Sequence, residues 1–189
     1  ANCFTLSEAT DGAGQDYSTV FGVILGTGCG GGLAVEGKVI QGRNRIAGEW
    51  GHNPLGWMEP NEVQPECYCG KKGCIETFVS GKGLEQDYQR VSGKAQLSAK
   101  QIAESNEPDC LETLQRYENR LARALASVIN IFDPDCIVLG GGISNMDRLY
   151  NSLPRLLPRY VFSDYVETRI VKNQHGDSSG VRGAAWLGV

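Results

Sequence analysis

The start of the chain alternates short apolar runs with glycine-rich breaks. The spacing of the apolar positions predicts a short helix over residues 2–9. Residues 20–25 form a continuous apolar run, which is typical of a buried strand. A returning strand at residues 33–35 is predicted to continue through a tight turn at residues 36–38 into residues 39–40.

Residues 42–74 have almost no hydrophobic periodicity and are rich in glycine, proline and asparagine. An irregular segment of this length inside a compact domain is uncommon unless it has a function or a cross-link that holds it. We therefore expect either a chemical role or a structural staple within this segment.

Apolar positions then recur at helical spacing. Residues 75–91 predict a helix that is broken by Gly81 and Gly83. The strongest amphipathic pattern covers residues 109–132, and the Asp-Pro-Asp at residues 133–135 ends it because proline cannot continue a helix. Strands that precede a helix–strand–helix alternation predict an α/β class with a mixed sheet. The remaining predicted elements are helices over residues 98–105, 147–157 and 179–187 and strands over residues 136–139 and 167–171.

Composition excludes several classes of protein. A chain of 189 residues is long enough for one sizeable core or two small lobes. The net charge of −4 gives no electrostatic footprint for nucleic acid or an anionic membrane. No apolar run approaches the roughly 20 residues that span a bilayer, and no secretory leader is visible. We expect a cytoplasmic protein with neither a nucleic-acid nor a membrane partner.

The cysteines are clustered rather than dispersed. Seven cysteines is an odd number, and Cys67, Cys69 and Cys74 fall close together downstream of His52, one of only two histidines. This distribution fits metal binding in a reducing cytosol better than a disulfide framework. Three thiolates and one imidazole complete a tetrahedron, and a closed site of that kind is structural rather than catalytic. These four residues therefore predict a structural zinc ion.

The cysteines have two other interpretations besides zinc. The three cysteines can be incidental members of a cytosolic loop, although two glycines inside their spacing allow the backbone to fold around a metal. A redox switch is less favoured, because no helix N-terminus or basic pair obviously activates one thiol.

Two glycine-rich segments follow buried strands. Residues 26–32 link two predicted strands, so they are not the strand–loop–helix arrangement of a Rossmann or Walker loop, and β-turns also need glycine. Residues 140–144 lie between a buried strand and a helix, at the strand end where open α/β sheets bind ligands. Together, the two segments favour a nucleotide site.

The irregular segment and both glycine segments resemble one known family. Gly-Glu-Trp-Gly-His at residues 48–52 and Cys-Tyr-Cys-Gly-Lys-Lys-Gly-Cys-Ile-Glu at residues 67–76 resemble the zinc segment of the ROK family of sugar kinases and repressors. Gly-Thr-Gly at residues 26–28, followed by Gly37 and Gly42, resembles the rest of the family signature.

Further likenesses extend this resemblance over essentially the whole chain. Asp-Pro-Asp at residues 133–135 and the run at residues 137–142 resemble the family's adenosine-side strand and loop. Trp50, residues 53–55 and the closing residues 175–186 look most like bacterial fructokinases of the manno-/fructokinase type.

The resemblance implies an actin-like ATPase (ribonuclease H-like) fold of two lobes that bind ATP and sugar in the cleft between them. The lobe seen here would combine a mixed sheet, flanking helices and a structural zinc loop at about residues 48–76. The implied reaction transfers the γ-phosphoryl group of ATP, with Mg²⁺, to a sugar hydroxyl. The implied partners are a hexose, with fructose favoured, the amino-terminal lobe, and a second copy in a homodimer.

The resemblance also implies roles for individual residues. Glu49, Glu76, His52 and Asn2 would bind the sugar, His52 through the ring nitrogen that does not face zinc. Without the resemblance, Glu49 reads as a solvated surface carboxylate, and Glu76 as a first-turn helix residue favoured by the helix dipole. The residues implied for ATP are Gly26, Thr27 and Gly28 near the phosphates and Gly141 and Gly142 near the adenosine.

The chain departs from the family pattern at its first residue. The family's catalytic aspartate lies in an Asn-Asp-Ala-Asn-Cys segment, and this chain begins Ala1-Asn2-Cys3. That aspartate is therefore expected immediately before Ala1, and the family's Asp-x-Gly-x-Thr phosphate loop is also missing. We expect residues 1–189 to be the C-terminal lobe of a kinase and to be inactive alone. Two alternatives stay open: the effector domain of a ROK-type sugar-responsive repressor, and a zinc-stabilised interaction domain with no sugar site.

Overall fold

The computed structural model describes residues 1–186, which form a five-stranded mixed sheet with helices on both faces. The strand order is β3-β2-β1-β4-β5, with antiparallel pairing of β1, β2 and β3 and parallel pairing of β1, β4 and β5. The predicted α/β class with a mixed sheet is confirmed. The strands are β1 (Thr19–Leu25), β2 (Cys29–Val35), β3 (Lys38–Val39), β4 (Cys136–Gly140) and β5 (Arg169–Lys172).

Every predicted helical region contains a helix, with small shifts at the ends. Residue 187, at the end of the last predicted helix, lies outside the described residues. No helix in the described part of the chain is both long and apolar enough to cross a membrane. The helices are α1 (Asn2–Asp11), α2 (Glu76–Val79), α3 (Gly81–Ser92), α4 (Ala99–Glu104), α5 (Pro108–Phe132), α6 (Arg148–Leu156) and α7 (Ser179–Trp186), and short 3₁₀ turns cover Gly142–Asn145, Leu157–Arg159 and Gly176–Ser178.

The sheet separates two apolar clusters because alternate side chains of a strand face opposite sides. Val20 of β1 packs with Phe4 of α1 in the smaller cluster. Phe21 and Val23 of the same strand point to the opposite face. They pack in the larger cluster, which is centred on α5. Residues Cys136–Gly140 are buried throughout, as expected for a strand covered on both faces.

The structure corrects the predicted start of β2. The strand begins at Cys29 rather than at residue 33, so most of the glycine run belongs to the sheet and only residues 26–28 form the turn. The physical reason is close approach. A Cβ atom at Gly31 would lie 2.6 Å from the carbonyl oxygen of Gly48, so glycine allows the irregular segment to lie directly against the strand.

The predicted break in the helix after residue 75 is also displaced. The chain turns at Ser80, between α2 and α3, and the glycines at 81 and 83 lie inside α3. Ser80 has an extended backbone, and its hydroxyl accepts the N–H of Gly83 at 3.1 Å. A serine N-cap therefore begins α3, because its oxygen satisfies a backbone N–H that has no partner within the helix.

Candidate functional site

Four side chains of the irregular segment converge. The ligand atoms of His52, Cys67, Cys69 and Cys74 all lie within 4.8 Å of one another. The Cys67 sulfur lies 3.5 Å from Nδ1 of His52, and the sulfurs of Cys69 and Cys74 are 3.6 Å apart. This is the group of residues that the sequence predicts as metal ligands.

The chemistry and spacing of this cluster fit a zinc ion. Zn–S bonds of about 2.3 Å and Zn–N bonds of about 2.0 Å in a tetrahedron place donor atoms roughly 3.5–3.8 Å apart, which agrees with both separations. Burial raises the pKa of the Cys74 thiol to about 12, and its thiol neighbours add to this. The backbone N–H of Lys71 lowers the pKa of Cys69. A bound cation displaces the remaining thiol protons, which couples metal binding to proton release.

Residues 51–53 of the irregular segment lie beside residues 75–76, which directly follow it. The N–H of Ile75 donates to the carbonyl of Asn53 at 2.9 Å, and the N–H of Glu76 donates to the carbonyl of Gly51 at 2.8 Å. This pairing brings the residues around His52 next to the start of α2. The cluster of His52, Cys67, Cys69 and Cys74 links residue 52 to residues 67–74 of the same segment.

The predicted sugar ligands Glu49 and Glu76 flank one surface. One carboxylate oxygen of Glu76 accepts the backbone N–H of Cys29 at 2.9 Å, which fixes it beside the turn at residues 26–28. Burial raises the pKa of the Cys29 thiol, and the charges of Glu76 and Glu49 raise it further. Both carboxylates also raise the pKa of the Tyr68 hydroxyl, Glu76 most strongly. Glu49 is exposed and Glu76 is half-buried, so both can accept hydrogen bonds from a ligand.

Tyr68 is a site residue that the sequence pattern does not reveal, because Cys-x-Cys spacing leaves the middle residue unspecified. Its hydroxyl lies 2.9 Å from Nε2 of His52, and the two rings meet edge to face at 87°. Nδ1 of His52 faces the sulfurs, so Nε2 is the nitrogen available for hydroxyl contacts, as the resemblance implies. The Tyr68 side chain is 84% exposed, and a ligand hydroxyl can replace its own.

Asn2 is the fourth predicted sugar ligand. It lines a small cavity of about 140 Å³ together with Cys3, Val39, Gln41 and Arg45. Its amide oxygen is buried and has no hydrogen-bond partner among the described residues. A sugar role for Asn2 therefore stays a prediction.

A large cavity of about 990 Å³ opens at the carboxyl ends of β1 and β4. It contains three of the predicted ATP residues, Gly26, Thr27 and Gly142. The carbonyl of Gly26 accepts the N–H of Gly81 at 2.7 Å, which joins the turn to the start of α3. The sequence pattern missed the contribution of α3 and α4, because it treats the glycines of α3 only as helix breakers. The further lining residues include Lys82, Glu85, Ser98, Lys100, Met146 and Arg148.

Gly141 lies between the end of β4 and Gly142, which lines this cavity. Its φ of +82° belongs to the region that favours glycine, and a Cβ there would lie 2.4 Å from the carbonyl oxygen of Leu25. The chain can therefore pass tightly over the end of β1. Gly142 follows with open space around its Cβ position on the cavity side.

The described residues combine a mixed α/β sheet, a cluster of four side chains that could hold a metal, and a large cavity at the carboxyl ends of β1 and β4. The profile of the ROK family matches residues 1–188. The chain belongs to the ROK family.

Individual relatives are kinases of one amino sugar. The chain is 43% identical over 196 aligned residues to an N-acetyl-D-glucosamine kinase of Aliivibrio salmonicida, and 42% identical over 196 to one of Vibrio cholerae. Both alignments cover 100% of this chain and 65% of the relative. The chain thus spans about two thirds of the length of these curated relatives.

Solved structures of the family share the fold. A ROK glucokinase from Streptomyces griseus, in complex with glucose and AMPPNP, superposes with a TM-score of 0.85 at 27% identity, covering 99% of this chain and 65% of the other. A ROK transcriptional regulator, a homologue of E. coli MLC, superposes with a TM-score of 0.82 at 26% identity, covering 98% and 49%. A kinase and a transcriptional regulator of the family therefore share this fold.

Proposed function

We propose that this chain is the C-terminal lobe of an ATP-dependent kinase that phosphorylates N-acetyl-D-glucosamine. The observation that carries the proposal is the alignment of the whole chain, at 43% identity, with an enzyme named for that activity. In this proposal the amino-terminal lobe supplies the catalytic aspartate, so residues 1–189 are inactive alone. The homodimer that the resemblance implies stays a prediction.

The proposed sugar, N-acetyl-D-glucosamine, differs from fructose, the sugar expected from the sequence. The fructokinase-like features were Trp50, residues 53–55 and the closing residues 175–186. Trp50 is 3% exposed and packs edge to face on Phe21, so it contributes to the core rather than to sugar choice. The relatives reported above act on N-acetyl-D-glucosamine by name, and none of these features argues against that sugar.

In the proposed site, carboxylates and an imidazole hold the sugar. Glu49 and Glu76 accept hydrogen bonds from sugar hydroxyls, and Nε2 of His52 exchanges Tyr68 for a sugar hydroxyl. Hydrogen bonds to charged groups are stronger than those between neutral groups. They fix the orientation of the sugar, and so of the hydroxyl that receives the phosphoryl group. Phosphoryl transfer depends mainly on such positioning, because there is little covalent chemistry for the protein to perform.

On the nucleotide side, the turn at residues 26–28 faces the phosphates and the segment at residues 141–142 faces the adenosine. Glu76 accepts the N–H of Cys29, directly after this turn. This hydrogen bond connects the proposed sugar ligand Glu76 to the turn proposed to face the phosphates. Mg²⁺ accompanies ATP and neutralises charge on the transferred phosphoryl group. Zinc takes no part in the transfer and holds the loop that carries Glu49 and His52.

Sugar binding tests this proposal directly. We expect calorimetric titration of the full-length protein, meaning this chain with its amino-terminal lobe, to give the highest affinity for N-acetyl-D-glucosamine, followed by glucose and mannose, with fructose weakest. A site built to hydrogen-bond a substituent rejects analogues that lack it. Equal affinity for all four sugars, or a preference for fructose, would refute the assignment.

The second candidate function is that of a sugar-responsive regulator. It is favoured by the likeness to the ROK transcriptional regulator, which shares the fold of this lobe. A helix-turn-helix segment preceding the lobe would indicate a regulator, whereas an Asp-x-Gly-x-Thr strand would indicate a kinase. A regulator would bind sugar without forming ADP in the presence of ATP.

Replacing Gly142 by alanine is expected to impair ATP use without loss of stability. Gly142 does not have a positive φ, and its Cβ would meet no atom within 4 Å, so the new methyl group would project only into the cavity. We expect KM for ATP to rise about tenfold, with Tm unchanged, because one methylene group in a fitted pocket discriminates by about that factor. Steady-state kinetics with varied ATP give the measurement.

The matched control for this prediction is Gly180→Ala. Gly180 lies in α7, and a Cβ there also meets nothing within 4 Å. The control should keep the wild-type KM for ATP. An unchanged KM in Gly142→Ala would remove this glycine from the proposed nucleotide site.

A further inference from the structure

The irregular segment has a buried carboxylate, Glu62, between His52 and the cysteines. The Glu62 side chain is only 8% exposed and lies against α5. One of its oxygens accepts Nε of Arg120 and Nη2 of Arg123, both at 2.7 Å, and the other accepts Nη1 of Arg123 at 2.8 Å. Arg123 also donates to the carbonyl of Trp57 at 2.7 Å, so α5 holds this stretch of the segment at two points.

Arg120 extends this contact to two other helices. Its Nη1 lies 2.8 Å from Asp87 of α3, and its guanidinium carbon lies 5.1 Å from the centre of the Phe78 ring in α2. The Arg120 side chain is 7% exposed, and that of Asp87 is 4% exposed. Arg120 thus touches the irregular segment, the helix that begins at Glu76 and the helix that begins beside the large cavity.

Guanidinium groups keep both carboxylates of this network ionised: two carboxylates, Glu62 and Asp87, face four arginines. Burial opposes ionisation of Glu62, but the hydrogen bonds from Arg123 and Arg120 outweigh it and lower its pKa to about 2. Asp87 forms ion pairs with Arg116 and Arg90 in addition to Arg120. Burial opposes its ionisation as well, but these arginines lower the pKa of Asp87. Removing Glu62 alone leaves the buried Arg123 without a carboxylate among the described residues, while Arg120 keeps Asp87, and breaking one side of a buried ion pair is costly.

We propose that Glu62 is a positioning residue for the sugar site: with Arg120 and Arg123 it forms a second anchor of the irregular segment, independent of the metal cluster. In this proposal the cluster of His52, Cys67, Cys69 and Cys74 holds the segment at residues 52 and 67–74. Glu62 fixes its middle against α5, and Arg120 connects that point to Phe78, two residues after Glu76. Both anchors are needed to keep Glu49, His52 and Glu76 in one geometry. The kinetic part of this inference rests on the proposed function.

Hydrogen exchange tests the anchor without any assumption about activity. In the full-length protein, we expect Glu62→Gln to speed exchange of the amides at residues 53–76 at least about tenfold, because local opening follows the loss of local contacts. Amides of β1 and β4 should keep their protection, and zinc content should stay unchanged. The matched control is Glu66→Gln, a carboxylate of the same segment that is 81% exposed and pairs only with the exposed Lys72 among the described residues.

Kinetics then separate positioning from a merely structural role. We expect Glu62→Gln to raise KM for N-acetyl-D-glucosamine about tenfold and to leave KM for ATP within about twofold, because displaced sugar ligands lose hydrogen bonds to the sugar while the nucleotide side keeps its geometry. If Glu62→Gln does not fold, Arg123→Lys is the second variant, because it keeps the positive charge and loses the paired hydrogen bonds. It should also speed exchange of residues 53–76 and raise KM for the sugar.

Each outcome decides between the claims. Unchanged exchange in residues 53–76, or exchange that rises equally across the whole sheet, would overturn the anchor. Faster local exchange with an unchanged sugar KM would overturn the positioning role. A wild-type protein that phosphorylates no hexose would refute the proposed function, while the exchange data would still decide whether Glu62 anchors the segment.

Discussion

Replacing Cys74 by alanine is expected to remove the metal and abolish sugar phosphorylation while the sheet stays folded. Cys74 is 1% exposed, and its sulfur lies 3.6 Å from that of Cys69, so its loss opens the predicted tetrahedron. Structural zinc sites need all four ligands, and the segment they close carries His52. We expect the zinc content of the full-length protein to fall from near one per chain to near zero.

The same variant should lose at least about 100-fold in kcat/KM for the sugar, because positioning groups lose their geometry. Mass spectrometry and steady-state kinetics give the two values. The matched control is Cys110→Ala, a substitution of the same chemistry at a cysteine that is 0% exposed in α5, away from the cluster. The control should keep both zinc and turnover. Full activity in metal-free Cys74→Ala would show that the metal does not hold the sugar site.

Replacing Glu76 by glutamine is expected to be the second most damaging change. The glutamine keeps an oxygen that can accept the N–H of Cys29, so the local hydrogen bond survives. The negative charge that the sugar hydroxyls would meet is lost. Because a hydrogen bond to a charged group contributes about 1.5–3 kcal/mol, we expect kcat/KM for the sugar to fall about 10- to 100-fold. Zinc content should remain that of the wild type.

Glu112→Gln provides the control for this prediction, since Glu112 is an exposed carboxylate on α5 outside the candidate site. It should behave as the wild type in every assay. Wild-type kinetics in Glu76→Gln would mean that this carboxylate only caps the turn before β2.

Local features of the sequence predicted the parts of the structure that depend on local chemistry. The metal-type cluster was predictable because its cysteines lie within eight residues and their spacing restricts the possible ligands. The buried strands β1 and β4 were predictable because short continuous apolar runs followed by glycines are typical of buried strands. The zinc ion and the sugar ligands stay predictions.

Features that depend on distant contacts were missed. The sequence hides the start of β2 because glycine has a low strand propensity, and glycine is explained there by the distant groups that approach the strand, Gly48 against Gly31 and Thr5 against Gly32. Glu62 looks like one more surface acid until α5 supplies Arg120 and Arg123, which lie some sixty positions further along. The Tyr68 hydroxyl reaches His52 only once the loop has folded.

Product formation by the full-length protein tests the central claim most directly. Incubation with Mg²⁺–ATP and either N-acetyl-D-glucosamine or fructose, followed by mass spectrometry of the sugar and measurement of ADP, shows which hexose accepts the phosphoryl group. We expect one ADP per phosphorylated N-acetyl-D-glucosamine, with kcat/KM at least about tenfold above that for fructose. Absence of any phosphorylated hexose, or faster turnover of fructose, would contradict the proposed function.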